Sequence, residues 1–274
     1  MRILRVFPRR TSHTPTDDLA FVGDPPLFRP EADRVDVSCV FSWDVAEARR
    51  LAETWAQYYP LVALGGPAIA PYPGDAFTPG LYIKAGFTFT SRGCDRNCPW
   101  CLVPKREGPI RLLPIQDGWI INDNNFAQTP KAHRQAVYQM LRRQQHAAVF
   151  AGGVDARLVT DELADEFRSI RIGDVFLAAD TAKALGPLEQ AVARLAFLGR
   201  EKTRCYVLCG YNDEIVEQAE ARLRRVWEIG AMPFAQLWQP DGPKRLIYSP
   251  EWRRLQRTWS RPAAMKAEMA GRVT

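Results

Sequence analysis

Residues 84–104 read Lys-Ala-Gly-Phe-Thr-Phe-Thr-Ser-Arg-Gly-Cys-Asp-Arg-Asn-Cys-Pro-Trp-Cys-Leu-Val-Pro, so that a strand-like apolar run leads directly into three cysteines. These are Cys94, Cys98 and Cys101, spaced C-x3-C-x2-C. Three thiolates on one short loop suit a [4Fe–4S] cluster in which three irons have protein ligands and the fourth is open. A structural zinc site normally has four Cys or His ligands, and no second pair of ligands follows here. The loop therefore predicts an iron–sulfur site whose open iron binds another molecule.

Downstream of this loop, strand-like runs alternate with helical periodicity. The strand-like runs are residues 87–90, 119–121, 147–151, 175–179, 205–208 and 234–238, and helical patterns lie at 131–144, 160–169, 188–198 and 213–228. Six β-then-α units predict a parallel α/β sheet, which right-handed crossovers curl into a partial barrel. We expect the chemistry in the loops at the carboxyl ends of these strands.

Local signals refine this pattern. Thr160 is a candidate N-cap, and Gly199 and Gly230 stand where helices should stop. The first crossover should be irregular, because prolines and glycines at 104, 108, 109 and 114 leave no room for a full helix.

The chain upstream of the loop has a simpler pattern. Apolar runs at 3–7, 35–41 and 61–64 and a helical pattern at 43–58 predict the order β, β, α, β, and a Pro/Gly-rich stretch at 71–80 predicts a linker. We therefore expect a small α/β domain at 1–80, the partial barrel at 81–248 and a helical tail at 249–274.

Composition limits the class of protein. The chain has 274 residues, of which 46% are hydrophobic and 25% are charged, as in an ordinary globular protein. No apolar run approaches the length of a membrane span, and the start is too short and basic for a signal peptide, so we expect a cytoplasmic protein. Six cysteines, three of them within eight positions, favour a metal site in a reducing compartment over disulfides.

The cysteine spacing, Trp100 before the last cysteine and the preceding strand resemble the cluster motif of the radical S-adenosylmethionine (SAM) superfamily. The resemblance implies a [4Fe–4S] cluster on Cys94, Cys98 and Cys101, with SAM bound at the open iron. It also implies reductive cleavage of SAM to a 5′-deoxyadenosyl radical, which takes hydrogen from a substrate. A flavodoxin or ferredoxin is the implied reductant, and the chain's charge of +6 would steer such an acidic partner.

The same resemblance assigns cofactor-binding residues. Trp100 would lie near the adenine, and Asp123, Asn124 and Asn125 would lie near the methionine end of SAM, with the Asp123 carboxylate accepting from the ammonium. An Asx-rich turn is the structural alternative for this run.

Two further strand ends offer candidates for SAM binding. Gly152 and Gly153 would permit close approach of the backbone to a ligand, Asp155 would bind ribose hydroxyls, and Arg157 would bind the methionine carboxylate. Asp180 would contact ribose or substrate, or cap the next helix.

The run from Cys98 to Gly108 resembles the methylthiotransferase and cobalamin-binding branches of the superfamily. The cobalt-ligating pattern Asp-x-His-x-x-Gly has its nearest counterpart at 18–23, where Ala20 replaces the histidine, and Gly65-Gly66-Pro67-Ala68 resembles the strand end of a cobalamin domain. We therefore interpret residues 1–80 as a reduced cobalamin-binding-like remnant without a lower histidine ligand.

Alternatives remain at this stage. Cys39, Cys205, Cys209 or a histidine would complete a zinc site, and the chain would then be a non-catalytic, metal-stabilised (zinc or Fe–S) nucleic-acid-binding protein. Its basic residues are either solvated helix faces or contacts to an anionic partner; they cluster at Arg222, Arg224 and Arg225 and at Arg253, Arg254 and Arg257. Two interpretations are open for Cys205 and Cys209. They are buried small hydrophobic residues, or they have a chemical role as a thiol hydrogen donor or as ligands of a second cluster. The substrate is a small molecule, a peptide or a nucleic acid.

Overall fold

The structure, a computed structural model, describes residues 1–69 and 78–271, so the predicted linker at 71–80 lies largely outside the described residues. The chain forms two compact units. The first comprises Met1–Phe87, Lys105–Gly108 and Pro240–Leu246, and the second comprises Thr88–Pro104, Pro109–Gln239 and Ile247–Thr274. The domain boundaries expected at 80 and 248 stay predictions.

The first unit contains a four-stranded parallel sheet in the order β2-β1-β3-β4. Its elements are β1 (Ile3–Phe7), β2 (Ala20–Val22), β3 (Arg34–Ser38), helix α1 (Val45–Ala56) and β4 (Val62–Gly65). Leu4 and Val6 of β1 and Val37 of β3 are buried, and α1 contributes Leu51 and Trp55 to the same core. The predicted β, β, α, β order is confirmed with one addition, because the run at 18–23 that resembled a cobalt-ligand pattern contains the short strand β2.

The second unit contains a six-stranded sheet in the order β12-β11-β10-β9-β8-β5. The strands are β5 (Phe87–Thr88), β8 (Ile120–Ile121), β9 (Ala148–Phe150), β10 (Ile172–Ala178), β11 (Thr203–Cys209) and β12 (Met232–Leu237). The helices between them are α3 (Lys131–Arg143), α4 (Asp161–Arg168), α5 (Leu185–Arg194) and α6 (Val216–Ile229). From β8 to β12 each strand pairs in parallel with its neighbour in sequence. The mixed α/β class with parallel sheets is confirmed, and closure into a partial barrel stays a prediction.

The first crossover of this sheet is irregular, as predicted. It holds the single-turn helix α2 (Val103–Glu107) and a two-stranded antiparallel ribbon made of β6 (Ser91–Arg92) and β7 (Arg111–Leu112). The sequence did not predict this ribbon, because each of its strands is only two residues long.

The predicted helix ends are confirmed by their backbone geometry. The Thr160 hydroxyl accepts a hydrogen bond from the Leu163 amide at 3.2 Å, which caps α4. Gly230 ends α6 in the left-handed region at φ +103°, where a residue with a Cβ is strained. Gly199 likewise ends a short 3-10 turn at φ +73°.

One face of the six-stranded sheet is packed against helices of the second unit. Side chains such as Val175, Leu177 and Val207 are buried in the core together with residues of the helices. Cys205 and Cys209 alternate with them on the same face and are completely buried. Burial raises the pKa of the Cys205 thiol well above its ordinary value and that of Cys209 to about 12. Both cysteines are therefore buried small hydrophobic residues, and the hydrogen-donor and second-cluster alternatives have no support.

The predicted helical tail consists of two helices, α7 (Pro250–Trp259) and α8 (Pro262–Ala270), each with proline in its first turn. The tail belongs to the core of the second unit, because Leu255, Trp259 and Met265 are buried there. Within the described ranges, no helix is long and apolar enough to cross a membrane.

Candidate functional site

The three cysteines follow β6 on a loop of the second unit, and each is half-buried and free of disulfides. Gly93 precedes the first cysteine in the left-handed region at φ +86°, which turns the chain out of β6. The Cys101 amide donates to the Cys98 carbonyl at 3.0 Å, so the last two cysteines share one tight turn. The sequence thus forms a compact loop that carries the three thiols and follows the carboxyl ends of β5 and β6.

The thiols influence one another electrostatically. Burial raises the pKa of Cys98 and of Cys101, and the neighbouring thiolates raise both further. The Arg157 guanidinium acts in the opposite direction on Cys98. Across the described residues, no group of three or more His, Cys, Asp or Glu side chains is placed so that it could hold a metal ion, and the three cysteines are no exception. The donor set of three neighbouring soft thiolates nevertheless has the composition that an iron–sulfur cluster requires.

Asp123, at the end of β8, is bonded to the strand that leads into the cysteine loop. Its side chain is buried, with 1% of the residue exposed. One carboxylate oxygen accepts from the Thr90 amide at 2.6 Å, and the other accepts from the hydroxyls of Thr90 at 2.6 Å and Ser91 at 2.8 Å. Burial raises the pKa of Asp123, although these hydrogen bonds oppose the shift. The carboxylate therefore holds two strand ends together, and its predicted contact with an ammonium group stays a prediction.

Asn124 and Asn125 continue this link from β8 to the cysteine loop. The Asn124 side-chain oxygen accepts from the Gly93 amide at 3.0 Å. Asn125 is 3% exposed; its side-chain oxygen accepts from the Asp155 amide at 3.2 Å, and its side-chain nitrogen lies 3.9 Å from the Cys94 sulfur. Donors beside cluster sulfurs tune the properties of a cluster. Asn125 is thus suited to act on the first cysteine.

Gly152 and Gly153 end β9 directly against the Asp123 backbone. A Cβ added at Gly152 would lie 1.9 Å from the Asp123 carbonyl oxygen and 2.6 Å from the Asn122 carbonyl carbon. Gly153 has φ +116°, which side chains rarely adopt. Glycine at 152 is therefore required by the approach of two strand ends of this chain, and its predicted contact with a ligand is untested.

Asp155 joins two arginines beside the cysteines. Its carboxylate accepts from Arg96 Nε at 2.8 Å and from the Nε and a terminal nitrogen of Arg157, each at 2.8 Å. Burial disfavours the charged form, but the hydrogen bonds from Arg157 and Arg96 outweigh it, and the pKa of Asp155 is lowered. The Asp180 carboxylate also acts on Cys98 and Cys101, while two guanidinium groups and one carboxylate give the cluster around Asp155 itself a net positive charge. Such a charge suits an anionic ligand group.

Asp180, which follows β10, contacts the cysteine loop through Trp100. Its carboxylate accepts from the Trp100 indole and from the Leu208 amide, both at 3.1 Å, and burial raises its pKa. The Trp100 carbonyl in turn accepts from the Trp238 indole at 3.3 Å, and Tyr211 packs edge-on against both indole rings. Asp180 therefore fixes Trp100 in the described structure.

Four contributors to the site were not predicted from the sequence: Arg96, Gln128, Tyr211 and Trp238. The Gln128 side-chain oxygen accepts from the Asp95 amide at 3.1 Å, between the first two cysteines. Arg96 could have been predicted as a site residue because it lies inside the cysteine motif. Tyr211 and Trp238 could have been predicted because they follow strands at the carboxyl edge of the sheet.

Comparisons with known proteins add little to this picture. No protein-family profile matches the sequence, and no curated protein matches it. Among solved structures the chain is similar to coproporphyrinogen III oxidase (HemN) from Escherichia coli, a radical SAM enzyme, with 15% identity and a TM-score of 0.36. The match covers 54% of this chain and 36% of that enzyme's chain. Because the TM-score is this low, function has to be argued from the residues of the site itself.

Proposed function

We propose that this chain is a radical SAM enzyme. The observation that supports the proposal most is the meeting of the C-x3-C-x2-C loop, and of the strand residues that lead into it, with two other strand ends, through Asp123, Asn125 and Asp155. Loops at the carboxyl ends of parallel strands are where α/β proteins bind ligands. A structural zinc knuckle has no need of such a set of contacts.

In this proposal Cys94, Cys98 and Cys101 hold a [4Fe–4S] cluster. When bound, the cluster supplies the electron that cleaves SAM into methionine and a 5′-deoxyadenosyl radical. The half-buried loop limits access of water to the thiolates, and the Asn125 amide, 3.9 Å from the Cys94 sulfur, adds a donor to it.

The remaining site residues bind and orient SAM. Arg157, whose guanidinium lies near the thiols, binds the methionine carboxylate, while Asp155 holds that guanidinium in position. We assign Asp123 a positioning role, because both of its oxygens are occupied by donors from 90 and 91. Trp100 contributes near the adenine, and Asp180 orients its indole.

The proposal also requires partners. An acidic flavodoxin or ferredoxin in the cytoplasm delivers the electron, and the positive net charge of +6 favours its approach. Assignment to the cobalamin-binding or methylthiotransferase-like branch remains part of the proposal, as does the reduced character of residues 1–80. The substrate, whether small molecule, peptide or nucleic acid, is left unassigned.

The test is anaerobic reconstitution with iron and sulfide, followed by dithionite reduction and measurement of 5′-deoxyadenosine formed from SAM. We expect about four irons per chain and SAM cleavage. Cys98→Ala should abolish both, whereas Cys205→Ala, which changes a buried thiol on the helix-facing side of β11, should abolish neither.

A second variant separates SAM binding from cluster binding. Arg157→Gln should retain the iron but weaken SAM affinity, and Arg157→Lys should restore part of it. One zinc per chain without SAM cleavage would overturn the proposal in favour of a metal-stabilised nucleic-acid-binding protein. Equal iron loss in Cys98→Ala and Cys205→Ala would overturn the ligand assignment.

A further inference from the structure

Helix α7 carries a row of arginines that the site does not use. Arg253, Arg254 and Arg257 lie on α7 and Arg261 lies two residues beyond its end, and all four are exposed. Arg254 and Arg257, three residues apart, lie on one face of α7, and Arg261 follows in extended backbone after the helix has ended. The opposite face is buried through Leu255 and Trp259. We call Arg254, Arg257 and Arg261 the α7 arginine row.

The α7 arginine row lacks carboxylate partners. No carboxylate oxygen of the described residues forms an ion pair with any of the three, whereas the arginines of α6 are all paired. Arg222 pairs with Glu214, Arg224 with Glu220 and Glu268, and Arg225 with Glu189 and Glu228. The two basic clusters of the sequence therefore differ: α6 has a neutralised surface, and α7 has an uncompensated one.

The charge on this surface is large for one helix. Residues 250–261 contain four arginines and a single glutamate. The net charge of this segment is therefore half of the chain's net charge of +6. At a rise of 1.5 Å per residue, Arg254 and Arg257 are separated by about 4.5 Å along α7, and Arg261 extends the row beyond the end of the helix. A single small anion contacts one or two guanidinium groups, so a row of this length calls for a ligand with several negative charges.

We propose that the α7 arginine row binds the phosphate backbone of a single-stranded nucleic acid. Arginine's planar fork matches the oxygens of phosphate, and the row contains no lysine. The row also crosses a break, because α7 ends at Trp259 and Arg261 has extended backbone before α8. A flexible single strand follows such a break, whereas a duplex is stiff on this length scale.

The proposal is independent of the proposed enzymatic function, because its test measures binding and not SAM cleavage. The reconstituted full-length chain is titrated into a fluorescein-labelled 15-nucleotide oligouridylate, and anisotropy is followed from 50 to 200 mM salt. Three phosphate contacts to a single strand predict a slope of about −2 in a plot of log affinity against log salt. This corresponds to a loss of affinity of about 15-fold over that range.

A matched control separates the row from net charge. The variant Arg254→Gln/Arg257→Gln/Arg261→Gln should lose most of the affinity and nearly all of the salt slope. The control Arg168→Gln/Arg194→Gln/Arg225→Gln removes the same charge from exposed or partly exposed arginines that are already ion-paired. The control should retain the slope, and both variants should keep the wild-type melting temperature, since exposed arginines contribute little to stability.

Three outcomes would overturn the proposal. Equal weakening in both triple variants would mean that net charge alone drives binding. Displacement of the oligouridylate by polyglutamate of equal charge would indicate an acidic protein as the partner. Tighter binding of a 15-base-pair duplex would exclude single-strand selectivity.

Discussion

Gly152→Ala is the substitution whose effect follows most directly from the geometry of the site. The added Cβ would lie 1.9 Å from the Asp123 carbonyl oxygen, whereas ordinary contacts begin at 3.4 Å. The two strand ends would have to separate by about 1.5 Å, and backbone cannot rotate away as a side chain does. Overpacking a dense core costs about 1–3 kcal/mol. We expect a loss near the upper end, about 3 kcal/mol, because both contacting groups are backbone.

The assay is urea unfolding of the reconstituted protein, followed by the iron content of each preparation. Gly173→Ala in β10 is the matched control, because its Cβ would meet nothing nearer than 3.4 Å. We expect the control to stay within about 1 kcal/mol of wild type. Gly152→Ala should also lose iron, because displacement of Asp123 withdraws the acceptor of Thr90 and Ser91. An unfolding free energy within about 0.5 kcal/mol of wild type would refute the reasoning.

Three further substitutions test single interactions. Thr160→Ala removes the cap of α4 and should lower the unfolding free energy by about 1 kcal/mol, measured in urea, with Thr160→Ser as the control. Glu166→Gln removes a buried charge that accepts two hydrogen bonds from Arg134, at 2.7 and 2.9 Å, and should cost about 3 kcal/mol or more; a change under 1 kcal/mol would contradict this. Asp155 has a pKa lowered in the folded protein, so its stabilisation is present above the unfolded value of about 3.9 and is lost as pH falls through the folded value. Asp155→Asn should therefore flatten the fall of unfolding free energy between about pH 5 and 2, and an unchanged pH profile would exclude this contribution.

Much of the fold was predictable because its signals are local. Periodicity gave the long strands β10 and β11 and helices such as α3, since burial repeats along each element itself. The short strands β2, β6 and β7 were missed. A strand of two or three residues is too short to show a periodic pattern of apolar side chains. Its pairing also depends on residues far along the chain.

The candidate site was predictable in its residue types and less so in its contacts. The cysteines and the polar strand ends stand out in the sequence. The bond from Asp123 to Thr90 spans 33 positions, and the ion pair from Arg96 to Asp155 spans 59. Such pairs are set by which strands lie side by side, so one sequence read alone names Asp123 as a candidate without showing that Thr90 and Ser91 donate to its carboxylate.

The order of strands in the second unit has a consequence for synthesis of the chain. From β8 onward, each strand is laid beside the one made just before it, so the sheet grows at one edge in the order of translation. Parallel units that contact their sequence neighbours have short loops to close, and folding proceeds from the amino-terminal side. The contacts of the cysteine loop to Asp123, Asn125, Asp155 and Asp180 need no residue beyond 180. The contacts to these four residues can therefore form while the last two strands are still to be made, and the contacts from Leu208, Tyr211 and Trp238 are added afterwards.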